Sequence, residues 1–304
     1  MNMIATKLPE RQKQAHRHLP IWLGLAILTL SPAVAMAEKY TTIDCPGASF
    51  TAAQSINDLG EIVGNCEEGP GSQGFVLRHG VFKIIEVANA RATTAFGINN
   101  LGDVVGRFSD SAGGVHGYLL RQGHFTVIDP PGSVATSARG IDDLGRIVGF
   151  YSKGSDGVVR GFIRDSHGFR DIEFPGAVQT GCSDINVLTR IVGGYADTNG
   201  VPHGFLLKKG VFTLIDPPGA TGAEASGINI RGYIVGSWTD DTECTHCFTN
   251  AFLLTARGFA NLEVPSAFET TAHDINALGQ VVGQYLGEDE AYHGFLGTSA
   301  HEED

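Results

Sequence analysis

The sequence predicts an all-β repeat fold, a six-bladed β-propeller built from six four-stranded units of about 43 residues. Three observations carry that expectation. The segment Gly-Ile-Asn-x-x-Gly-x-Ile-Val-Gly, cleanest at Gly97–Gly106, returns six times. The chain between the copies repeats as well, with units starting at Tyr40, Phe82, Phe125, Phe169, Phe212 and Phe259, spaced by 42, 43, 44, 43 and 47 residues. Glycine supplies 41 of 304 residues, roughly twice the usual ~7%, and proline recurs in Pro-Gly pairs, the composition of a chain full of tight turns.

Taken in order, the chain opens on a targeting segment. Lys7, Arg11, Lys13 and Arg17 precede an apolar run, Ile21–Leu30, bracketed by Pro20 and Pro32 and too short to span a membrane comfortably. Ala35-Met36-Ala37 reads as a small-x-small cleavage site, so residues 1–37 are expected to be a signal peptide, with an uncleaved anchor as the alternative. Cleavage near Ala37 places the mature chain outside the cytoplasm, secreted or periplasmic, with no membrane insertion. The full chain carries a formal charge of −12; without residues 1–37 it has 17 basic against 32 acidic residues, or −15. Such a surface repels phosphate backbones and argues against nucleic acid as a partner.

Each unit then shows four short strand-like runs. Phe-Thr-x-Ile-Asp (Phe212–Asp216) alternates as a half-buried strand should and leads into a Pro-Gly turn. Thr-x-Ala-x-Gly-Ile-Asn (Thr93–Asn99) follows and ends in Asn-x-x-Gly. The third run is x-Ile-Val-Gly-x-Tyr (Arg190–Tyr195), then a variable loop, then His-Gly-Phe-Leu-Leu (His203–Leu207). Units of this size cannot bury an apolar face alone; stacked, they can. An open β-solenoid is the other repeat architecture, but three tight turns per unit favour a meander. The repeats fill residues 38–300 without a domain boundary, and 301–304 form an acidic tail. If Phe-Thr-x-Ile-Asp is the outer strand of the preceding blade, Tyr40–Asp44 completes the last blade and closes the ring.

The texts Gly-Ile-Asn-x-x-Gly-x-Ile-Val-Gly, His-Gly-Phe and Phe-Thr-x-Ile-Asp-x-Pro-Gly together resemble the bacterial extracellular HAF repeat family over Tyr40–Gly297. The resemblance implies export and a propeller-like fold. It implies no established activity. Unit 4 departs from the pattern with Thr189 in place of glycine, and unit 5 carries an insertion at Thr239–Asn250.

Most recurring residues have structural explanations. Asn or Asp at the first position of Asn-x-x-Gly accepts backbone N–H groups, and the final glycine supplies a positive φ. Thr189 would be strained there, so that turn is expected to differ. Gly64, Gly106 and their equivalents in Ile-Val-Gly imply a close approach by another group. Cys182 fills a slot held elsewhere by alanine and reads as a small buried residue.

A meander places the Pro-Gly turns and the variable loops at one end of the sheets, and the chemically capable side chains gather there. They include His116, His203 and His293 before Gly-Phe or Gly-Tyr, the aromatics Tyr195, Trp238 and Tyr285, and the loop acids Asp197, Asp240 and Asp241. Acids and aromatics in this arrangement could bind a sugar chain or a structural cation; local capping of each unit's own turn is the competing explanation. No organic cofactor is implied. Cys244-x-x-Cys247 in an exported chain reads as a small disulfide loop ahead of a zinc site, and Cys45 and Cys66 could pair within unit 1. No nucleophile elbow, zincin motif or phosphate loop is present. The function expected is a secreted, non-enzymatic binding or interaction scaffold for an extracellular carbohydrate or protein. The alternative is a propeller glycoside hydrolase or lyase using carboxylates near the axis on the variable-loop face.

Overall fold

The computed structural model describes residues 38–69, 71–154, 157–240 and 250–299. The expected signal peptide, the acidic tail, Asp241, Cys244 and Cys247 lie outside the described residues. Within them the chain forms 24 strands, β1–β24 in chain order, and no α-helix.

β1 (Glu38–Ile43) precedes the first unit, in which β2 (Phe50–Ile56), β3 (Ile62–Glu67), β4 (Ser72–Arg78) and β5 (Val81–Ile85) form an antiparallel meander. The pattern recurs from the inner strands β6 (Ala92–Ile98), β10 (Ala135–Ile141), β14 (Gln179–Ile185), β18 (Gly222–Ile228) and β22 (Glu269–Ile275). The Phe-Thr-x-Ile-Asp run is the outer strand of the unit before it, as β5 against β4 shows. At the last unit β1 takes that place, antiparallel to β24 (Tyr292–Ser299), with Thr41 opposite Leu296. A disulfide from Cys45, just beyond β1, to Cys66 on β3 then ties this strand to unit 1.

The apolar core lies between successive units. Val63 and Val76 of unit 1 meet Ala95, Ile98, Val104 and Tyr118 of unit 2. Ile43 and Val282 meet Ala53, Ile56, Ile62 and Phe75 in the same way, joining unit 6 to unit 1. Each unit contributes one fully buried ring from its third strand: Phe75, Tyr118, Phe162, Phe205, Phe252 and Phe295. Each such ring is worth about 2–3 kcal/mol of burial. Cys182 is a free, buried thiol in the small-residue slot, facing the glycine of a neighbouring strand at Gly161.

The Ile-Val-Gly glycine is required by crowding inside the sheet. A Cβ on Gly106 would lie 2.0 Å from the Thr94 carbonyl oxygen and 2.7 Å from the Tyr118 ring. The carbonyl belongs to the inner strand, beside a β-bulge at Ala95/Gly97.

The Asn-x-x-Gly turn is built as its spacing predicts, and does more. Asn99 Oδ1 accepts the N–H groups of Leu101 and Asp103 at 3.0 Å, and Gly102 has a φ of 76°. The other end of the same side chain leaves the unit. Asn57 Nδ2 donates to the Asn99 carbonyl at 3.1 Å, and Asn99 Nδ2 to the Asp142 carbonyl at 3.0 Å. Asn186 donates to Asn229 at 2.9 Å, Asn229 to Asn276 at 3.0 Å, and Asn276 back to Asn57 at 3.1 Å. Unit 3 has Asp142, which cannot donate. There Arg146, paired with the buried Asp142 carboxylate, gives its Nη2 to the Asn186 carbonyl at 3.3 Å.

The unit 4 turn corrects an expectation. Thr189 does not change the turn: it adopts a φ of 58°, and its N–H bonds to the Asn186 carbonyl at 2.9 Å as glycine's would. The turn keeps its shape because Asn186 must still cap it and reach Asn229, and Arg146 Nη1 holds the Thr189 hydroxyl. A β-branched residue in the left-handed region carries strain. Thr189→Gly should therefore raise stability by about 1 kcal/mol in a urea melt, after allowing for glycine's unfolded-state entropy. A loss of stability would show that the Arg146 contact outweighs the strain.

Candidate functional site

The residues singled out at the variable-loop end are locally engaged. His116 Nδ1 meets Asp129 at 2.7 Å and its Nε2 meets Asp110 at 3.4 Å; the Asp129 bond holds the imidazole above its ordinary pKa. His203 meets Asp216 at 2.7 Å. His293 lies between Asp44 at 3.0 Å and Asp289 at 3.1 Å. Burial opposes its charged form, but the two carboxylates prevail and raise its pKa. Each imidazole also faces an aromatic ring: Phe108, Tyr195 and Tyr285 in turn, with centroids 5.1–5.2 Å away. These sets sit on units 2, 4 and 6.

Asp197, Tyr195 and Tyr285 are engaged in the same local way. Asp197 caps its own loop through the N–H groups of Asn199 and Val201. Tyr195 stacks on Phe174 at 3.7 Å, and the Tyr285 hydroxyl bonds Thr42 at 2.9 Å. Trp238 packs on the core between units 4 and 5, and its indole N–H meets no acceptor among the described residues. Asp240 is exposed at the edge of the undescribed insertion. Among the described residues no group of three His, Cys, Asp or Glu side chains is placed to hold a metal ion.

The inner strands bring a different set together. At the bulge each strand turns two consecutive residues towards the common axis. The first column reads Gln54, Phe96, Arg139, Ser183, Ser226 and His273; the second reads Ser55, Gly97, Gly140, Asp184, Gly227 and Asp274. The first column, with Glu224, Ser237, Thr271 and Gln284, lines a cavity of about 260 Å³. Ser55, Gly97, Asp184 and Asp274 of the second column and the first residues of the Asn-x-x-Gly turns line another of about 300 Å³, to which all six units contribute.

The chemistry of the first cavity is polar and asymmetric. Arg139 lies 4.0 Å from the Phe96 ring centroid, while Ser183 donates to Glu224 at 3.1 Å. His273 donates from Nδ1 to the Ala53 carbonyl at 2.9 Å. Burial pushes its pKa down to about 4, so the ring is neutral at pH 7. In the second cavity Asp274 accepts from Ser55 at 2.5 Å and from the Ile56 N–H at 3.0 Å, and Asp184 accepts from the Ile228 N–H at 2.9 Å. Burial raises both carboxyl pKa values, and for Asp184 the nearby Asp274 adds to it. Sequence reasoning missed these residues. Their signal was disagreement: they occupy the columns of the most regular strand where the six copies differ.

No family model matches the chain, and no curated protein is similar to it. Solved structures do share its architecture. AofleA from Arthrobotrys oligospora aligns over 86% of this chain and 88% of its own, at 11% identity and a TM-score of 0.54. The Aleuria aurantia lectin, described as a six-bladed β-propeller with a novel fucose recognition mode, aligns over 82% of this chain and 93% of its own, at 9% identity and a TM-score of 0.51. The fold is that of a β-propeller. At such identities the propeller likeness speaks for architecture alone.

The propeller axis should show its burial in a pH titration of stability. His273 has a folded pKa of about 4, below its unfolded value of 6.5, so the unfolded chain alone takes up a proton between them. Its contribution therefore falls as pH drops from about 6.5 to 4, by about 2–3 kcal/mol, and stays level below that. Asp184 and Asp274, with raised values, act in the opposite sense. The difference between wild type and His273→Gln isolates the histidine. A difference independent of pH between 6.5 and 4 would refute a buried neutral imidazole.

Proposed function

We propose that this chain is a secreted, non-enzymatic carbohydrate-binding scaffold: a six-bladed propeller closed by β1, with a sugar ring held in the axial cavity. The observation that carries the reading is the cavity itself. Around an otherwise repetitive axis, Arg139, Glu224, His273, Gln54, Ser183 and Ser226 converge on one space. Its volume of about 260 Å³ falls just below the roughly 300–1,000 Å³ range of drug-sized ligands, which suits a single ring. Hydroxyl groups need matched donors and acceptors within a walled space, and this cavity offers both.

Other observations support the parts of the proposal. Closure is supported by β1 on β24, by the core shared between units 6 and 1, and by the Asn276 bond to Asn57. Export is supported by the character of residues 1–37, by the HAF-like repeats and by the Cys45–Cys66 disulfide. A sugar ligand is supported by the Aleuria aurantia lectin, one form of which is in complex with Fucα1-6GlcNAc. The net charge of −12 speaks against nucleic acid. The hydrolase or lyase reading has Asp184 and Asp274 in its favour. Against it, both bind strand N–H groups and lie towards the Asn-x-x-Gly turns, away from the variable loops.

A glycan array probed with the purified mature chain, with reducing-end release measured in parallel, tests this. The expected outcome is retention of a defined saccharide set with no product formed, and at least tenfold weaker retention by Ser226→Phe, which fills the cavity. Released product would establish the enzymatic alternative, and retention indifferent to Ser226→Phe would move the site elsewhere.

A further inference from the structure

We infer that the ligand of the axial cavity carries a carboxylate, as a uronic acid does, and that Arg139 receives it with Arg107 at the cavity mouth. This rests on the carbohydrate reading above and narrows its substrate class.

Charge pairing makes the first argument. Four arginines form close ion pairs: Arg78 with Glu61 at 2.8 Å, Arg121 with Asp103 at 2.7 Å, Arg170 with Asp165 at 2.5 Å, and Arg146 with Asp142. Among the described residues, Arg107 and Arg139 have no carboxylate oxygen within 4.0 Å. Arg139 lines the cavity with Glu224 acting on it only from beyond ion-pair distance, so its guanidinium can take an incoming anion directly.

Orientation makes the second. The Arg139 guanidinium lies 4.0 Å from the Phe96 centroid and 5.7 Å from that of Phe150, and Arg107 reaches the same Phe96 ring at 5.5 Å. Aromatic contact holds a guanidinium by its face and leaves the N–H edge free, the geometry that takes a planar carboxylate through two parallel bonds.

The third argument is the cavity's polarity. Glu224, fixed by Ser183 at 3.1 Å, is the one acid lining the first cavity, and it stands more than 4.0 Å from Arg139. His273 is neutral at pH 7. An acid sugar matches this dipole end to end: its carboxylate meets Arg139, and its ring hydroxyls donate to Glu224. A neutral sugar offers Arg139 only hydroxyl oxygens, each taking one neutral-acceptor bond, where a carboxylate offers two charge-assisted ones.

The test uses matched pairs. Trimers of galacturonate, glucuronate and mannuronate are titrated calorimetrically against the mature chain, each beside its methyl ester, which keeps size and linkage and removes the charge. A sulfated neutral trimer is added to separate carboxylate from sulfate. At least one acid form should bind about tenfold or more tightly than its ester, weaken with salt, and lose about tenfold or more in Arg139→Gln. Arg107→Gln should cost less, because that side chain is exposed. Should Arg139→Gln fail to fold, the acid–ester comparison and the salt dependence on the wild-type chain decide alone. Esters that bind as tightly as the acids would overturn this inference and leave the carbohydrate reading standing. Tightest binding by the sulfated trimer would overturn the carboxylate assignment. Failure of every saccharide on the array and in the titrations would remove the carbohydrate reading and this inference with it.

Discussion

One side-chain bond recurs around this molecule, and much else depends on it. The asparagine that ends five of the six inner strands faces two ways. Its carbonyl oxygen caps the turn of its own unit, and its amide N–H reaches the backbone of the next. The bond is buried: Asn99 and Asn276 are each only 3% exposed. Each of the carbonyls reached already takes an N–H from its own turn, Gly102 to Asn99 at 3.0 Å for one, so the neighbour's amide fills the second lone pair and contributes about 0.5–1.5 kcal/mol per unit. The relay sets how closely inner strands approach at one end, while the Ile-Val-Gly glycine answers crowding within each unit's own sheet, between the inner-strand carbonyl and the buried ring of its third strand. The apolar clusters between units then fill the wedge that opens outward.

Unit 3 shows that the constraint is the bond and not the residue. Asp142 can cap its own turn but cannot donate, and Arg146 supplies the donor. The substitution and its remedy are four residues apart, in contact through an ion pair. Thr189 carries the same lesson from the other side. Its backbone strain is accepted in a turn whose asparagine cannot be spared, and the same Arg146 supports its hydroxyl.

The legible part of the fold was local. Asn-x-x-Gly spells its own turn, Phe-Thr-x-Ile-Asp spells an alternating strand, and Cys182 betrays a small buried slot by standing where alanine stands. The inter-unit role of the asparagine was not legible, because its partner is a backbone carbonyl 42–47 residues away, or 219 where Asn276 meets Asn57, which any residue type can offer. The axial residues were hidden for a different reason. A repeat is recognised by agreement, and Arg139, Glu224, His273, Asp184 and Asp274 are the disagreements. The histidines and acids at the loop end drew attention because they recur, and recurrence there reflects a shared local bond, His203 to Asp216 being one. A site in a symmetric scaffold lies where the symmetry is broken and the strands converge.

The most direct test of the relay exchanges the exception for the rule. Stability is measured by urea melts for Arg146→Met, Asp142→Asn and the double variant. Arg146→Met alone should cost about 2–3 kcal/mol, since it leaves the buried Asp142 carboxylate without its cation and the Asn186 carbonyl with only the Thr189 N–H. In the double variant the amide introduced by Asp142→Asn can donate to the Asn186 carbonyl as its counterparts do in the other units. Stability should then return to within about 1 kcal/mol of wild type. If Asp142→Asn leaves the cost of Arg146→Met undiminished, the asparagines are local turn caps only, and the units are held together by their apolar faces alone.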